Sequence, residues 1–216
     1  MRYRSKKHYN WSADIAYAVG LIASDGSLSK DGRHIDFTSK DYELVDTYRS
    51  LIRPTAKIGT KISGAHKPAY RVQLGDVTFY DFLLSAGLTP NKSLTLGALV
   101  IPDEHFRDFL RGVFDGDGSV YGIWDTRWKN SYMFYTTIAS ASRPFLEWLR
   151  LRIGQLWPTI SCSISSHKDG IYLICFAKKA SYQMYEIFYY DDNVPHLSRK
   201  RARYLEIFEI NPYPIL

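Results

Sequence analysis

The string GLIASDGSL at residues 20–28 returns as GVFDGDGSV at residues 112–120. Asp-Gly-Ser stands in register both times, behind an apolar run. A repeated plan constrains a chain more than any single motif, because two tandem copies of one supersecondary unit imply a pseudo-twofold axis. The signals around each copy come in the same order. In the first half SADIAYAVGLIA reads as a helix capped by Ser12, with Asp14 near its positive end. SLSKDGRHIDFTS alternates about a Lys-Asp-Gly turn, which predicts a hairpin. DYELVDTYRSLI carries Leu44, Tyr48 and Leu51 at helical spacing. AKIGTKISGAHKPAYRVQL predicts a second hairpin, and DVTFYDFLLSAG a third helix stopped at Gly87. The second half repeats this: helix EHFRDFLRGVFD, a longer hairpin over residues 119–140, helix RPFLEWLRLRIG with Pro144 in its first turn, hairpin TISCSISSHKDGIYLICFA, helix KASYQMYEIFYY, and one further helix, LSRKRARYLEIFEI. The fold class expected is α+β: two αββαββα halves, residues 1–98 and 103–216, joined by a short linker at 99–102.

Size and charge fit that plan. A chain of 216 residues that is 45% hydrophobic can bury one large core or two small ones. The formal charge of +6 favours a polyanionic partner without proving one. Cys162 and Cys175 lack metal-ligand spacing and read as small reduced core residues. No apolar run is long enough to cross a membrane. The basic start, MRYRSKK, lacks the apolar stretch of a secretory signal and could lie along phosphates. A soluble intracellular monomer is expected. His8, His66, His105 and His196 show no ligand spacing and are assigned no role.

The helix before each Asp-Gly carries small residues one turn apart: Ala16, Gly20 and Ser24 in the first, and Gly112 and Gly116 after Asp108 in the second. Such a stripe lets two helix backbones approach closely. If the two helices pack on each other, Asp25 and Asp117 become neighbours at their C-terminal ends. Paired carboxylates at the negative ends of helices favour cations between them, and hard divalent ions with Mg²⁺ as the default suit such oxygen donors. Metal ions so held can activate water and stabilise a leaving oxygen in phosphodiester cleavage.

Both phrases resemble the LAGLIDADG motif of homing endonucleases: AVGLIASDG from Ala18 to Gly26, and LRGVFDGDG from Leu110 to Gly118. The resemblance extends over nearly the whole chain, since the hairpins and third helices follow in family order. Two motifs in one chain resemble the monomeric branch. The resemblance implies a site-specific DNA endonuclease using Mg²⁺ or another divalent metal such as Mn²⁺, with Asp25 and Asp117 as catalytic, metal-holding acids. It implies a basic residue after the third helix of each half, which falls on Lys92 and on Lys200 or its neighbour Arg199. Ser39 and Ser140, at the ends of the second strands, match a polar position that contacts metal-bound water. The first motif departs from the pattern at Ala23, where the second keeps Asp115; the position is structural in the family.

The strands are expected to hold double-stranded DNA. Candidate contacts are Arg33, His34, Asp36, Thr38, Lys61, Ser63, Arg71 and Gln73 in the first half. In the second they are Arg127, Lys129, Ser131, His167 and Lys168. A two-stranded ribbon fits the major groove, where Arg reads guanine and Gln reads adenine. A strand of about ten residues spans roughly 33 Å. That is about ten base pairs per half, hence a near-asymmetric target of roughly twenty. Two other readings stand beside this one. Some relatives of the scaffold bind nucleic acid without cutting it, as splicing maturases or transcription regulators; retention of both acids favours the nuclease. An intein-borne nuclease would start with Cys or Ser and end near His-Asn, whereas this chain starts with Met and ends NPYPIL.

Overall fold

The computed structural model describes residues 8–62, 68–127 and 131–212. The basic arm at residues 1–7, and Ser63, His66 and Lys129, lie outside them. The first half runs α1 (Ala13–Asp25), β1 (Gly26–Leu28), β2 (His34–Ser39), α2 (Tyr42–Ile52), β3 (Gly59–Ile62), β4 (Pro68–Gly75) and α3 (Val77–Ser85). The second runs α4 (Phe106–Asp117), β5 (Gly118–Trp124), β6 (Tyr132–Ser140), α5 (Arg143–Leu156), β7 (Ser163–Ser166), β8 (Tyr172–Phe176) and α6 (Lys178–Phe188), then α7 (Ser198–Ile210). Each half forms one antiparallel sheet with the same strand order, β1-β2-β4-β3 and β5-β6-β8-β7. The architecture is the expected α+β duplication.

Local chemistry accounts for the element ends. Ser12 Oγ accepts from the Ile15 N–H at 3.2 Å, and Ser142 Oγ from the Phe145 N–H at 3.5 Å. Gly87 ends α3 with φ +98°, a conformation that costs a glycine little. At the β7–β8 turn Asp169 and Gly170 both take positive φ, as a tight hairpin requires.

Helices α1 and α4 are the spine. Residues 16–23 of α1 are all buried, so this helix is apolar all round and sits inside the molecule. It packs on α4 more extensively than any other two elements pack. The seam is backbone against backbone. A Cβ placed on Gly20 would lie 2.2 Å from Phe109 O, and one on Gly112 2.2 Å from Tyr17 O. A Cβ on Gly116 would meet a side chain instead, Ser24 Oγ at 2.0 Å. Asp108, one turn before Gly112, accepts instead from the fully buried Arg111 at 2.8 Å and from Tyr190 OH at 2.9 Å. The connector at 99–102 is packed in: Leu99 and Ile101 are buried, and the Val100 N–H donates to Ala86 O.

In each sheet one face buries its side chains against the helices. In the first, Ile35, Phe37, Val72 and Leu74 point inward. In the second, Phe134, Ile138, Ile174 and Phe176 do so. Burying each such side chain contributes about 1.5–3 kcal/mol. Cys162 packs against this core only in part; Cys175 is half-buried on the other face, paired across the ladder with Thr137 and Ser163. The cysteines are thus less deeply placed than core residues. The longest strand, β6, has nine residues rather than about ten. At about 3.4 Å per residue it spans roughly nine base pairs.

Candidate nuclease centre

Asp25 and Asp117 are the last residues of α1 and α4, and Gly26 and Gly118 open the strands that follow. Neither glycine has positive φ. They are needed for space: a Cβ on Gly26 would meet Ile22 Cα at 2.6 Å, and one on Gly118 would meet Phe114 Cδ2 at 2.2 Å. The chain therefore leaves each helix directly into a strand, with the acid at the junction.

The two acids share one electrostatic site. Both have solvent-exposed surface, yet enough protein surrounds them that desolvation is the main influence on each. It raises the Asp25 carboxyl above the ordinary carboxylate range, against the pull of Lys200 and Lys92. Asp117 is pushed up to about 6, first by desolvation and then by the charge of Asp25. A cavity of about 150 Å³ opens beside Asp117, lined also by Ser24, Lys92, Ser93, Leu96 and Ser140, so both halves contribute to it.

Lys92 and Lys200 are buried rather than solvated. Each closes the C-terminal end of its own half's motif helix, where carbonyls lack intrahelical donors. Lys92 Nζ donates to Ser24 O at 3.4 Å. Lys200 Nζ donates to Phe114 O at 2.6 Å, Asp115 O at 2.8 Å and Gly116 O at 3.2 Å. Desolvation lowers both ammonium groups to about 8, and the nearby Asp carboxylates limit the drop. Arg199, the alternative to Lys200, is exposed and pairs with Asp41 through two hydrogen bonds of 2.8 and 2.7 Å.

Asp115 is the residue whose role the sequence left general. It is fully buried, and its Oδ2 accepts from Tyr17 OH at 2.8 Å and from the Leu197 N–H at 2.9 Å. Leu197 is the residue before α7, so this bond sets where that helix starts and thereby where Lys200 sits. Ala23 holds the matching place in α1. Ser39 and Ser140 make matching turns, accepting from the backbone N–H of Asp41 and Ser142 at 3.3 and 3.1 Å. Ser140 borders the cavity with Asp117.

The donor set suits a hard divalent ion. The acids supply oxygen only, and no group of three or more His, Cys, Asp or Glu side chains clusters among the described residues. Two carboxylates leave most coordination positions to water and phosphate oxygens, which is how Mg²⁺ is usually held.

The expected DNA contacts divide by half. His34, Asp36, Thr38, Arg71 and Gln73 all lie on the sheet face turned away from the helices, and Lys61 pairs with Ala69 on that face. Asp36 ion-pairs with Arg71 across the ladder. Arg33 sits in the β1–β2 turn. In the second half the expectation of strand positions fails. Arg127 is in the turn after β5, Ser131 precedes β6, and His167 and Lys168 belong to the β7–β8 turn. Polar side chains at hairpin ends reach water without disturbing a sheet, and their sequence neighbours hid the boundary.

No protein-family model and no curated protein matches the chain. Solved structures do. The homing endonuclease I-WcaI bound to its DNA recognition sequence is similar with a TM-score of 0.60 and 14% identity, over 89% of this chain and 87% of that one. I-DmoI in complex with DNA and Ca gives 0.58 and 15%, over 89% and 97%. Full-length DUF199/WhiA from Thermatoga maritima gives 0.59 and 14%, over 95% of this chain but 63% of that one. This chain therefore spans less than two thirds of that protein. No helix among the described residues is long and apolar enough to cross a membrane. Identities this low speak for architecture alone, and the architecture they show is the LAGLIDADG homing-endonuclease fold.

Proposed function

We propose that this chain is a site-specific DNA endonuclease that hydrolyses both strands of a long, near-asymmetric target, its halves at 1–98 and 103–216 each carrying one motif. The observation that supports this most is the pairing of Asp25 with Asp117, flanked by two buried lysines. Asp25 and Asp117 would hold a divalent cation, which would supply Lewis acidity at the scissile phosphate. I-WcaI is solved on DNA, and I-DmoI with DNA and Mn or Ca, which is consistent with such a partner and such ions.

The residues divide the remaining work. Asp25 and Asp117, fixed at two helix ends, hold their carboxylates where they can accept hydrogen bonds from the attacking water. Lys92 and Lys200, poised at about 8, offset charge that builds on the phosphate and exchange protons with its water network. The open face of the first sheet holds the duplex through Arg71, Gln73, Lys61, His34 and Thr38. The protein acts as a monomer, because both acids come from one chain.

The test is selection of cleaved sites from a randomised duplex library with Mg²⁺, then kinetics on the selected site. Asp117→Asn and Asp25→Asn are each expected to lose cleavage by about a thousandfold or more while keeping affinity for the site, as loss of a main electrostatic element does. Binding without cleavage by the unaltered protein would instead assign the chain to the non-cutting users of this scaffold. Full activity in Asp117→Asn would refute the mechanism.

A further inference from the structure

The two open sheet faces have matching backbones and unlike chemistry. Register fixes the correspondence. Ser39 pairs with Tyr70 in the first sheet, and Ser140 with Tyr172 in the second. One residue on, Thr38 and Arg71 match Ala139 and Leu173; two further along β4 and β8, Gln73 matches Cys175. Each guanidinium or amide of the first face therefore has an apolar or thiol counterpart on the second.

The ladder of β5 and β6 continues the trend. It begins two residues beyond Asp117 with Ser119 opposite Thr137, whose hydroxyls are 2.9 Å apart. Tyr121 then lies opposite Tyr135, ring centroids 5.6 Å apart, and Ile123 opposite Met133. Moving away from the acids, the pairs pass from hydroxyl to phenol to aliphatic. The β5 members are open to solvent, Tyr121 45% and Ile123 56% exposed, while Tyr135 and Met133 beside them are half-buried and Thr137 is buried. At the far end Ile123, Met133, Tyr135 and Arg127 border a depression of about 180 Å³. Arg127 stands at its rim with its side chain 80% exposed, ion-paired with Asp125 at 2.8 Å.

We infer that the second half reads its half-site through the C5-methyl groups of thymine, while the first half reads by hydrogen bonds and charge. This rests on the endonuclease reading of the centre. A major-groove edge offers an apolar group in one place, the thymine methyl, and apolar side chains recognise it by contact. The face starts at Asp117, so a duplex lying over the acids continues onto it, and the guanidinium of Arg127 at its outer end, although paired with Asp125, stays open enough to meet a phosphate strand. Successive open-face pairs are two residues apart, about 6.8 Å, or two base-pair steps. Methyl reading is thus concentrated about four base pairs outward from the pair that faces Ser119.

The experiment enriches bound duplexes from a randomised library with the full chain in Ca²⁺, then replaces each thymine of the selected site by deoxyuridine. That change removes a methyl and leaves the hydrogen-bond pattern intact. The Arg71→Leu variant orients the site, because the half whose preference relaxes lies under the first sheet. Thymines are expected in the outer part of the other half, each deoxyuridine weakening binding about three- to fivefold, as loss of one buried methyl does. Ile123→Gln, an exposed change that leaves the core intact, is expected to erase that penalty. A selected site whose second half lacks thymine, or tolerates deoxyuridine as well as the first half does, overturns this inference and leaves DNA recognition standing. Enrichment of no site at all overturns both.

Discussion

The two lysine sockets look alike in outline and differ in construction. Lys92 reaches one carbonyl, Ser24 O, at 3.4 Å. Lys200 is held by three, the nearest at 2.6 Å. The difference traces to one position in the doubled phrase. Asp115 ties the start of α7 to Tyr17 and so fixes Lys200, whereas Ala23 offers the first half no such tie. A repeated motif can therefore preserve the acids and the glycine seam while the two lysine environments differ. One socket is preorganised and the other is looser.

The largest effect concerns what both sockets share. Gly112→Ala drives a Cβ into Tyr17 O and is expected to cost about 3 kcal/mol or more, read as a loss of denaturation midpoint. Gly154→Ala in α5 meets nothing within 4 Å and is expected to stabilise by up to about 1 kcal/mol. Equal effects at both positions would mean that the helices do not meet at their backbones.

The sockets themselves come next. Lys200→Met leaves three carbonyls short of a donor and is expected to cost about 2 kcal/mol; Lys92→Met, losing one long bond, costs about 1 kcal/mol or less. Chemical denaturation of the two variants side by side checks the ranking. Asp115→Ala strips Tyr17 OH and the Leu197 N–H of their acceptor, a loss of about 1–2 kcal/mol. Its informative readout is nicking of each strand: cleavage should fall more at the phosphate served by Lys200, and equal losses on both strands would argue against positioning through α7.

The smallest effect is a pH dependence. Asp117 titrates at about 6 in the folded protein, above its ordinary 3.8. The folded state thus binds this proton more tightly than the unfolded state. Its contribution favours folding at pH below 3.8 and is lost as pH rises through 6. In metal-free protein the thermal midpoint should decline across that window, less so in Asp117→Asn, and Mg²⁺ should restore it above pH 6. The lysines, lowered to about 8, act in the opposite sense and favour folding as pH climbs from 8 towards 10.5.

Much of this molecule was legible before any coordinates. The doubled phrase, the Ser12 cap and the positive-φ glycines announce themselves through residue types that few other conformations tolerate. The burial of Lys92 was not legible. Nothing in TPNKS distinguishes a lysine that turns inward from one in water, since charged side chains are almost always outside unless paired. The chemistry of the second sheet's open face was not legible for a related reason. Along β5 both faces carry apolar residues, so alternation gives no signal, and the polar residues stand in the turns. Contacts between the halves, such as Arg199 with Asp41 and Ser198 with Glu43, depend on two helix starts meeting in space and leave no local trace.

That last contact has a practical side. Helix α7 has its first residues fastened to α2 of the other half, while its Lys200 plugs the end of α4. A designer who wished to shorten this chain, or to trade its second half for another, could not treat the C-terminal helix as a removable appendix. It is a clasp, and cutting it away would loosen both halves at once.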